Sequence, residues 1–396
     1  MFGKVLNTPS HREHTRATSR VLIVGVHQAT DAYPNTLHRL QYLKDHLDAY
    51  EINQPFWGAP QRGIASMRSP LRTLWRALTA HLRLAWRCFT RGRRSDAAYI
   101  PYPAIGVALF FALSPRSMRP RIVLDGFISL YDTVVNDRCL WKPGDLRSRI
   151  LWALERQAFR TADVVVVDTR QNADFYARLF RLPSHRFVPI PLATDEKVYA
   201  PKVYRPTEGR CQVLFIGTFV PLHGIETIAG AARLLAHRTD VQFRILGDGQ
   251  DAPKLEAALE GLRNVAWQRR WHSAEELAAE IAESDICLGI FGATDKTQRV
   301  CPYKLYAYAA VGRATITGDT EWLRSIAIDK SAEPFHSVPV DDPRALAAAI
   351  EHLADNPVEL QRLARNANIF YEKFLANSLS LPMLGNLVAE VCADLG

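Results

Sequence analysis

The chain has 396 residues, 48% of them hydrophobic and 23% charged. These values exclude a disordered or collagen-like chain and leave room for two globular cores. The net charge of +8 points to anionic partners such as nucleotide phosphates, nucleic acid or an acidic membrane face, without choosing among them.

Cys88, Cys139, Cys211, Cys287, Cys301 and Cys392 include no CxxC pair, so a structural zinc site is not expected. Several lie in apolar runs, which fits reduced buried thiols and a reducing compartment. The first 20 residues are polar and carry no apolar signal core. No apolar stretch reaches the ~18 residues of a spanning helix; the nearest is Ala104–Leu113. The expected location is cytoplasmic, with peripheral attachment to the inner face of the cell membrane left open.

In chain order, Val21–Val26 is apolar throughout, as in a parallel strand covered on both faces. Ala98–Pro101, Arg121–Asp125 and Asp163–Asp168 repeat the pattern. Helical periodicity separates them at Thr36–Ala49, Pro70–Arg91, Ile105–Leu113 and Arg147–Arg160. The charged, proline-bearing stretch Pro201–Arg210 reads as a linker. The alternation then restarts, with strands expected at Val213–Gly217, Val241–Gly247, Val265–Trp267, Ile286–Ile290 and Ala314–Thr317. Helices fit at Ile225–His237, Ala252–Leu262, Ser273–Ser284, Tyr303–Val311 and Pro343–Ala354, before Val358–Leu375 and Leu379–Leu395. The expected class is α/β, two doubly wound domains facing each other across a cleft. Their expected extents are 21–200 and 201–378, after a flexible stretch 1–20 and before a helix at 379–396 that crosses back to the first domain.

Three motifs carry chemistry. Gly217-Thr218-Phe-Val-Pro-Leu-His223-Gly224 ends a strand and opens a helix. Free amides and the positive end of the helix dipole make that an anion site, with Thr218 and His223 as extra donors; an ordinary strand–helix turn is the plain alternative. Gly247-Asp-Gly249 closes a second strand and permits close backbone approach. Neither matches a dinucleotide fingerprint or a P-loop. The strongest motif is Lys296-Thr-Gln-Arg299-Val-Cys-Pro302-Tyr-Lys304, followed by a helix ending at Gly312. Cations at a helix start oppose its dipole, and a bound diphosphate explains them better than a solvated basic loop does.

In that order the motifs resemble family 4 glycosyltransferases, retaining enzymes of the GT-B fold. Gly217–Gly224 resembles the family's phosphate loop, Gly247–Gly249 its G-D-G turn, and Asn264–Trp267 the strand beside the base. Pro302–Gly312 resembles P-x-K-L-x-E-Y-x-A-x-G, and Val338–Asn356 its late helix. The likeness reaches the first half through Ala162–Thr169 and Ala193–Pro201. It implies a nucleotide-sugar donor, a retained anomeric configuration and no cofactor or metal. This chain departs at the loop's Arg and Lys, here Thr218 and His223, and at the paired glutamates, here Arg299 and Ala307. Lys296, Arg299 and Lys304 are expected to replace the lost positive charge, and Arg299 is the catalytic candidate on that side.

On the first domain, Asp125 ends a parallel strand and is expected to orient or deprotonate the acceptor hydroxyl; a turn cap is its plain alternative. His27, Tyr33 and Asp132 are further acceptor-side candidates, a buried, satisfied histidine being the equal alternative for His27. Arg68, Arg72, Arg76, Arg83, Arg87, Arg91 and Arg94 form one cationic stripe, with Leu71, Leu74, Trp75, Leu78, Leu82, Trp86 and Phe89 around it. Such a helix fits an anionic lipid interface, Arg72, Arg76, Arg83 and Arg87 leading, against a solvated face over a core. No nucleic-acid module is visible. The expected acceptor is a glycan or a lipid-linked sugar of polysaccharide biosynthesis. A nucleotide-sugar epimerase of the same fold and a non-catalytic glycosyltransferase-like partner are the rival readings.

Overall fold

The computed structural model describes residues 20–55, 70–91, 94–206, 209–326 and 332–393; for 70–74 and 91 it describes the backbone alone. The first lobe is built on β1 (Arg20–Gly25), β2 (Asp48–Asn53), β3 (Ala97–Ile100), β4 (Arg121–Asp125), β5 (Val164–Val167) and β6 (Phe187–Pro189). All pairs are parallel, in the order β2-β1-β3-β4-β5-β6. Its helices are α1 (Pro34–His46), α2 (Pro70–Arg91), α3 (Ile105–Ala112), α4 (Leu146–Thr161) and α5 (Arg170–Phe180).

The second sheet has β7 (Cys211–Gly217), β8 (Val241–Gly247), β9 (Val265–Gln268), β10 (Ile286–Leu288), β11 (Ala314–Gly318) and β12 (His336–Val338). It is also parallel, ordered β12-β11-β10-β7-β8-β9. Around it lie α6 (Ile225–Leu234), α7 (Ala252–Ala258), α8 (Ala274–Ala282), α9 (Asp295–Arg299), α10 (Tyr303–Val311), α11 (Glu321–Ser325), α12 (Pro343–Ala354) and α13 (Pro357–Phe370). The last helix, α14 (Asn377–Ala393), packs beside α1 over β3 and β4 of the first sheet.

Both sheets are covered on two faces, which is why their inner strands read as unbroken apolar runs. Val21, Ile23, Tyr99 and Val123 pack under α1 and α14, while Leu22, Val24, Ile122 and Val165 pack on the opposite face. The strands β2, β6 and β12 were not expected from the sequence. All three are sheet edges, and β2 (DAYEIN) buries a single side chain. A strand paired on one side needs no apolar run, so its pattern is silent.

The helical run Pro357–Ala393 is long and apolar enough to cross a membrane by length and composition, contrary to the sequence expectation. It bends at a π-helical turn, Tyr371–Leu375, and its halves pack on β11 and α10 and on the first sheet, as core helices do.

Candidate active site between the lobes

The carboxyl ends of the strands meet across the lobe boundary. Thr169, just after β5, caps α5 by accepting from the Asn172 amide and donates its hydroxyl to the Arg299 carbonyl at 2.6 Å. Gln250, just after the Gly247-Asp-Gly249 turn, donates to the Arg138 carbonyl at 3.3 Å.

Around β7 the glycines serve close packing of the turns. A Cβ on Gly247, whose φ is +124°, would lie 1.9 Å from the Gly217 carbonyl oxygen, and one on Gly249 1.8 Å from that of Thr218. Gly224, at φ +62°, would collide with the Phe291–Gly292 backbone. Only glycine fits at these approaches. They place Gly217, His223 and the start of α6 side by side, with Thr218 exposed on the rim. Pro302 is the N-cap of α10 and offers no side-chain cap, which leaves the first amides of that helix without one.

The three cations do not act together. Lys304 lies against the face of Phe215, its Nζ 3.9 Å from the ring centroid, with its ammonium enclosed and without a hydrogen-bond partner. His223 stands edge-on to the same ring, 5.6 Å away, and its buried Nδ1 also lacks a partner. Burial holds both groups well below their ordinary pKa values, and the charges of Lys304 and Arg138 press His223 down further.

Lys296 and Arg299 instead cross the boundary and are spent there, which corrects their assignment to a phosphate grip. Arg299 reaches Asp132 at 3.1 Å, Asn172 Oδ1 at 2.7 Å and the face of Phe175 at 3.5 Å. Lys296 donates to the Thr133 hydroxyl at 3.0 Å and pairs with Asp137 at 3.5 Å. A cation already matched by a buried carboxylate has little attraction left for a diphosphate. Asp132 is correspondingly occupied by Arg299 and Asn136 and is not open to an acceptor. Ala307 is buried in the core of the second lobe.

Asp125 is corrected as well. Its side chain is buried under α1, where Arg39 donates to it at 2.9 Å and the Tyr99 hydroxyl at 2.9 Å. A residue at the end of a strand has two faces to choose from, and here Asp125 shares the α1 face with Val123 and Tyr99. His27 is fully buried and bonds Glu51 of β2 at 2.9 Å, so it ties the sheet edge and does not line the cleft. Tyr33 remains 40% exposed.

Sequence reasoning missed Arg138. It caps a π-helical turn, Asp132–Asp137, whose approach is held by Glu155 accepting from the amides of Leu130 and Tyr131 and from the Ser129 hydroxyl. Burial pushes the Glu155 carboxyl up to about 7. Nothing in the sequence separates Arg138 from the chain's other arginines, because its partners come from another lobe.

Residues 210–356 match the family model described as glycosyl transferases group 1. The second lobe thus carries the group 1 glycosyltransferase match. A curated relative, the alpha-D-kanosaminyltransferase of Streptomyces kanamyceticus, is 27% identical over 257 residues, which is 62% of this chain. The matched region spans 64% of that relative's length. The sucrose-phosphate synthase of Thermosynechococcus elongatus superposes with a TM-score of 0.69 at 16% identity, covering 95% of this chain and 100% of its own. The Anabaena protein HepE, solved in complex with UDP, gives a TM-score of 0.64 at 11% identity, covering 95% and 100%. The two parallel sheets and these superpositions give the chain the GT-B fold.

The helix α2 lies on the first lobe, against β2 and α3. Ala80 and Leu84 of this helix face inward, while Trp75, Leu82, Trp86 and Phe89 are 65%, 62%, 66% and 86% exposed. At 100° per residue those four and Leu78 form a single outward stripe, flanked by Arg76, Arg83 and Arg87. The solvated-face reading expected the large apolar side chains to pack inward, and these five do not. Arg87 also donates to the Asn53 carbonyl at 2.9 Å. Arg68 and the side chains of Leu71, Arg72, Leu74 and Arg91 lie outside the described residues.

Proposed function

We propose that the protein transfers a sugar from a nucleoside-diphosphate sugar to a glycan or lipid-linked acceptor, retaining anomeric configuration, at the cytoplasmic face of a membrane. The observation that carries the donor reading is the enclosed, unpartnered Lys304 ammonium beside the unpartnered Nδ1 of His223, at the turn where α6 begins. A buried cationic group without a counter-charge is costly, and a diphosphate supplies the missing charge. The starts of α6 and α10 add backbone donors. As the bond to the sugar breaks, charge grows on the leaving diphosphate, and donors held in place there stabilise it. The similarly folded Anabaena protein was solved in complex with UDP, which supports a nucleotide ligand for this chain.

Lys304 and His223 carry that charge with protein groups and no cofactor. Among the described residues no group of three or more His, Cys, Asp or Glu side chains could hold a metal ion. The acceptor and membrane parts rest on α2. An exposed tryptophan and leucine stripe flanked by arginines suits the boundary of an anionic bilayer, with the arginine stems lying along the apolar surface. A lipid-borne acceptor would be met at that surface.

The test is a screen of nucleoside-diphosphate sugars for thermal stabilisation, followed by product analysis with candidate acceptors. Stabilisation by a donor and a product of retained configuration are expected. Conversion of the donor without acceptor would replace transferase by epimerase, and no donor binding at all would leave a non-catalytic partner.

A further inference from the structure

We propose that Arg138, on the first lobe, binds the donor diphosphate directly, so that the bound donor joins the two lobes. This rests on the reading of the Lys304 and His223 site as a diphosphate site.

The turn holding Arg138 is built against the other lobe. The Arg138 amide donates to the Thr133 carbonyl at 2.9 Å and the Leu140 amide to Val134 at 2.9 Å, closing the turn from both sides. Between them Cys139 takes φ +50°, a left-handed conformation that is strained for a non-glycine residue. That strain persists because the surrounding bonds fix it, a pattern that clusters at ligand clamps. The Arg138 carbonyl is then bound by Gln250, next to the Gly249 turn.

The Arg138 side chain is the odd one at the boundary. Lys296 and Arg299 find Asp137 and Asp132. Asp137, next in sequence, feels the Arg138 charge but pairs with Lys296, and the buried Nε of Arg138 has no hydrogen-bond partner. Its charge reaches His223, which it helps to keep neutral. Gln250 thus sets Arg138 beside the glycine turn that packs on Gly217 and His223, and His223 in turn shares the Phe215 ring with Lys304. Like charges gathered this way repel until an anion enters. A guanidinium meets a diphosphate through two parallel donors, which a lysine cannot reproduce.

The donor would then be held from both sides: by the glycine turn, His223 and Lys304 on the second lobe, and by Arg138 on the first. Binding draws the lobes together, which excludes water from the sugar.

The experiment measures binding of UDP, GDP, ADP and dTDP, and of the matching nucleosides, by calorimetry on the full chain. It compares wild type, Arg138→Ala, Arg138→Lys and Lys304→Met, with X-ray scattering with and without the bound diphosphate. Arg138→Ala is expected to weaken diphosphate binding by about tenfold to a hundredfold, the range for one charge-assisted contact. Nucleoside binding stays unchanged, Arg138→Lys restores part of the loss, and the compaction on binding disappears. Diphosphate affinity and compaction in Arg138→Ala equal to wild type, while Lys304→Met binds poorly, would overturn the role of Arg138 alone. Wild type that binds none of the four diphosphates, or Lys304→Met that binds like wild type, would overturn the site itself.

Discussion

The pairing of Arg299 with Asp132 makes the sharpest prediction, because it reverses what the sequence suggested. Arg299→Ala removes the contact to Asp132 at 3.1 Å, the bond to Asn172 at 2.7 Å and the stacking on Phe175. The side chain of Asp132 has no solvent exposure, so its carboxylate is left charged and enclosed. Truncating one partner of such a pair costs roughly 3–5 kcal/mol. The remaining contact of Arg299, to Asp295, involves a carboxylate side chain that is 71% exposed and adds little. Asp132→Asn leaves the guanidinium with Asn172 and Asp295 and is expected to cost less. In the double variant Arg299→Ala/Asp132→Asn no charge is stranded, and the cycle should show a coupling of about 1.5–3 kcal/mol. Urea unfolding of the four proteins measures this. A cost below about 1 kcal/mol with no coupling, together with a tenfold rise in donor KM, would refute the argument and return Arg299 to the donor.

Lys304→Met should do two opposite things: raise the stability of the empty protein by about 1–3 kcal/mol, by removing an enclosed unpaired amine, and abolish diphosphate binding. Thermal melts and calorimetry read both, and a destabilised variant would show that Lys304 is a structural group. The pH dependence follows from the lowered pKa values of Lys304 and His223. The unfolded chain holds more protons than the folded one between the lowered values and the ordinary 10.5 and 6.5, so these two groups make stability rise with pH there. A bound diphosphate restores the protons, so binding takes up protons and weakens as pH rises; calorimetry in buffers of different ionisation enthalpy should show the uptake, and none would place the phosphates elsewhere. Trp75→Asp/Trp86→Asp, on the outward face of α2, should abolish flotation with anionic vesicles while leaving the melting temperature within about 2 °C; unchanged flotation would remove the membrane role.

How much of this was legible depended on whether neighbours in sequence or neighbours in space decide a residue's role. The inner strands, β1, β4, β7 and β8, announce themselves because burial on both faces demands an apolar run. The edges β2, β6 and β12 do not, since pairing on one side makes no such demand. The glycine turns were legible for a local reason: positions 224 and 247 require a positive φ and an approach that no Cβ permits. Asp125 was misread because strand position fixes its height in the sheet but not which face it takes, and Arg39 settles that from 86 residues away. In α2 the sequence showed both the arginine stripe and the aromatic side chains, but only packing reveals that Ala80 and Leu84 turn inward and the tryptophans outward.

The cations around α10 show the same division in its most consequential form. Lys296, Arg299 and Lys304 are alike in sequence, and the structure sorts them by whether a carboxylate is within reach. Where the related motif carries a glutamate, this chain has Arg299, which meets the carboxylate of Asp132 on the facing lobe. The pair keeps a negative group at the boundary while tying α9 to the first lobe. Lys304 and His223 gain no such partner, and their burial without one lowers the pKa of each and disfavours the charged forms. An anion therefore finds two groups ready to take up protons and one fixed charge, Arg138, already facing them. The loss of the Arg and Lys from the glycine loop is thus offset by groups whose charge appears when the ligand does.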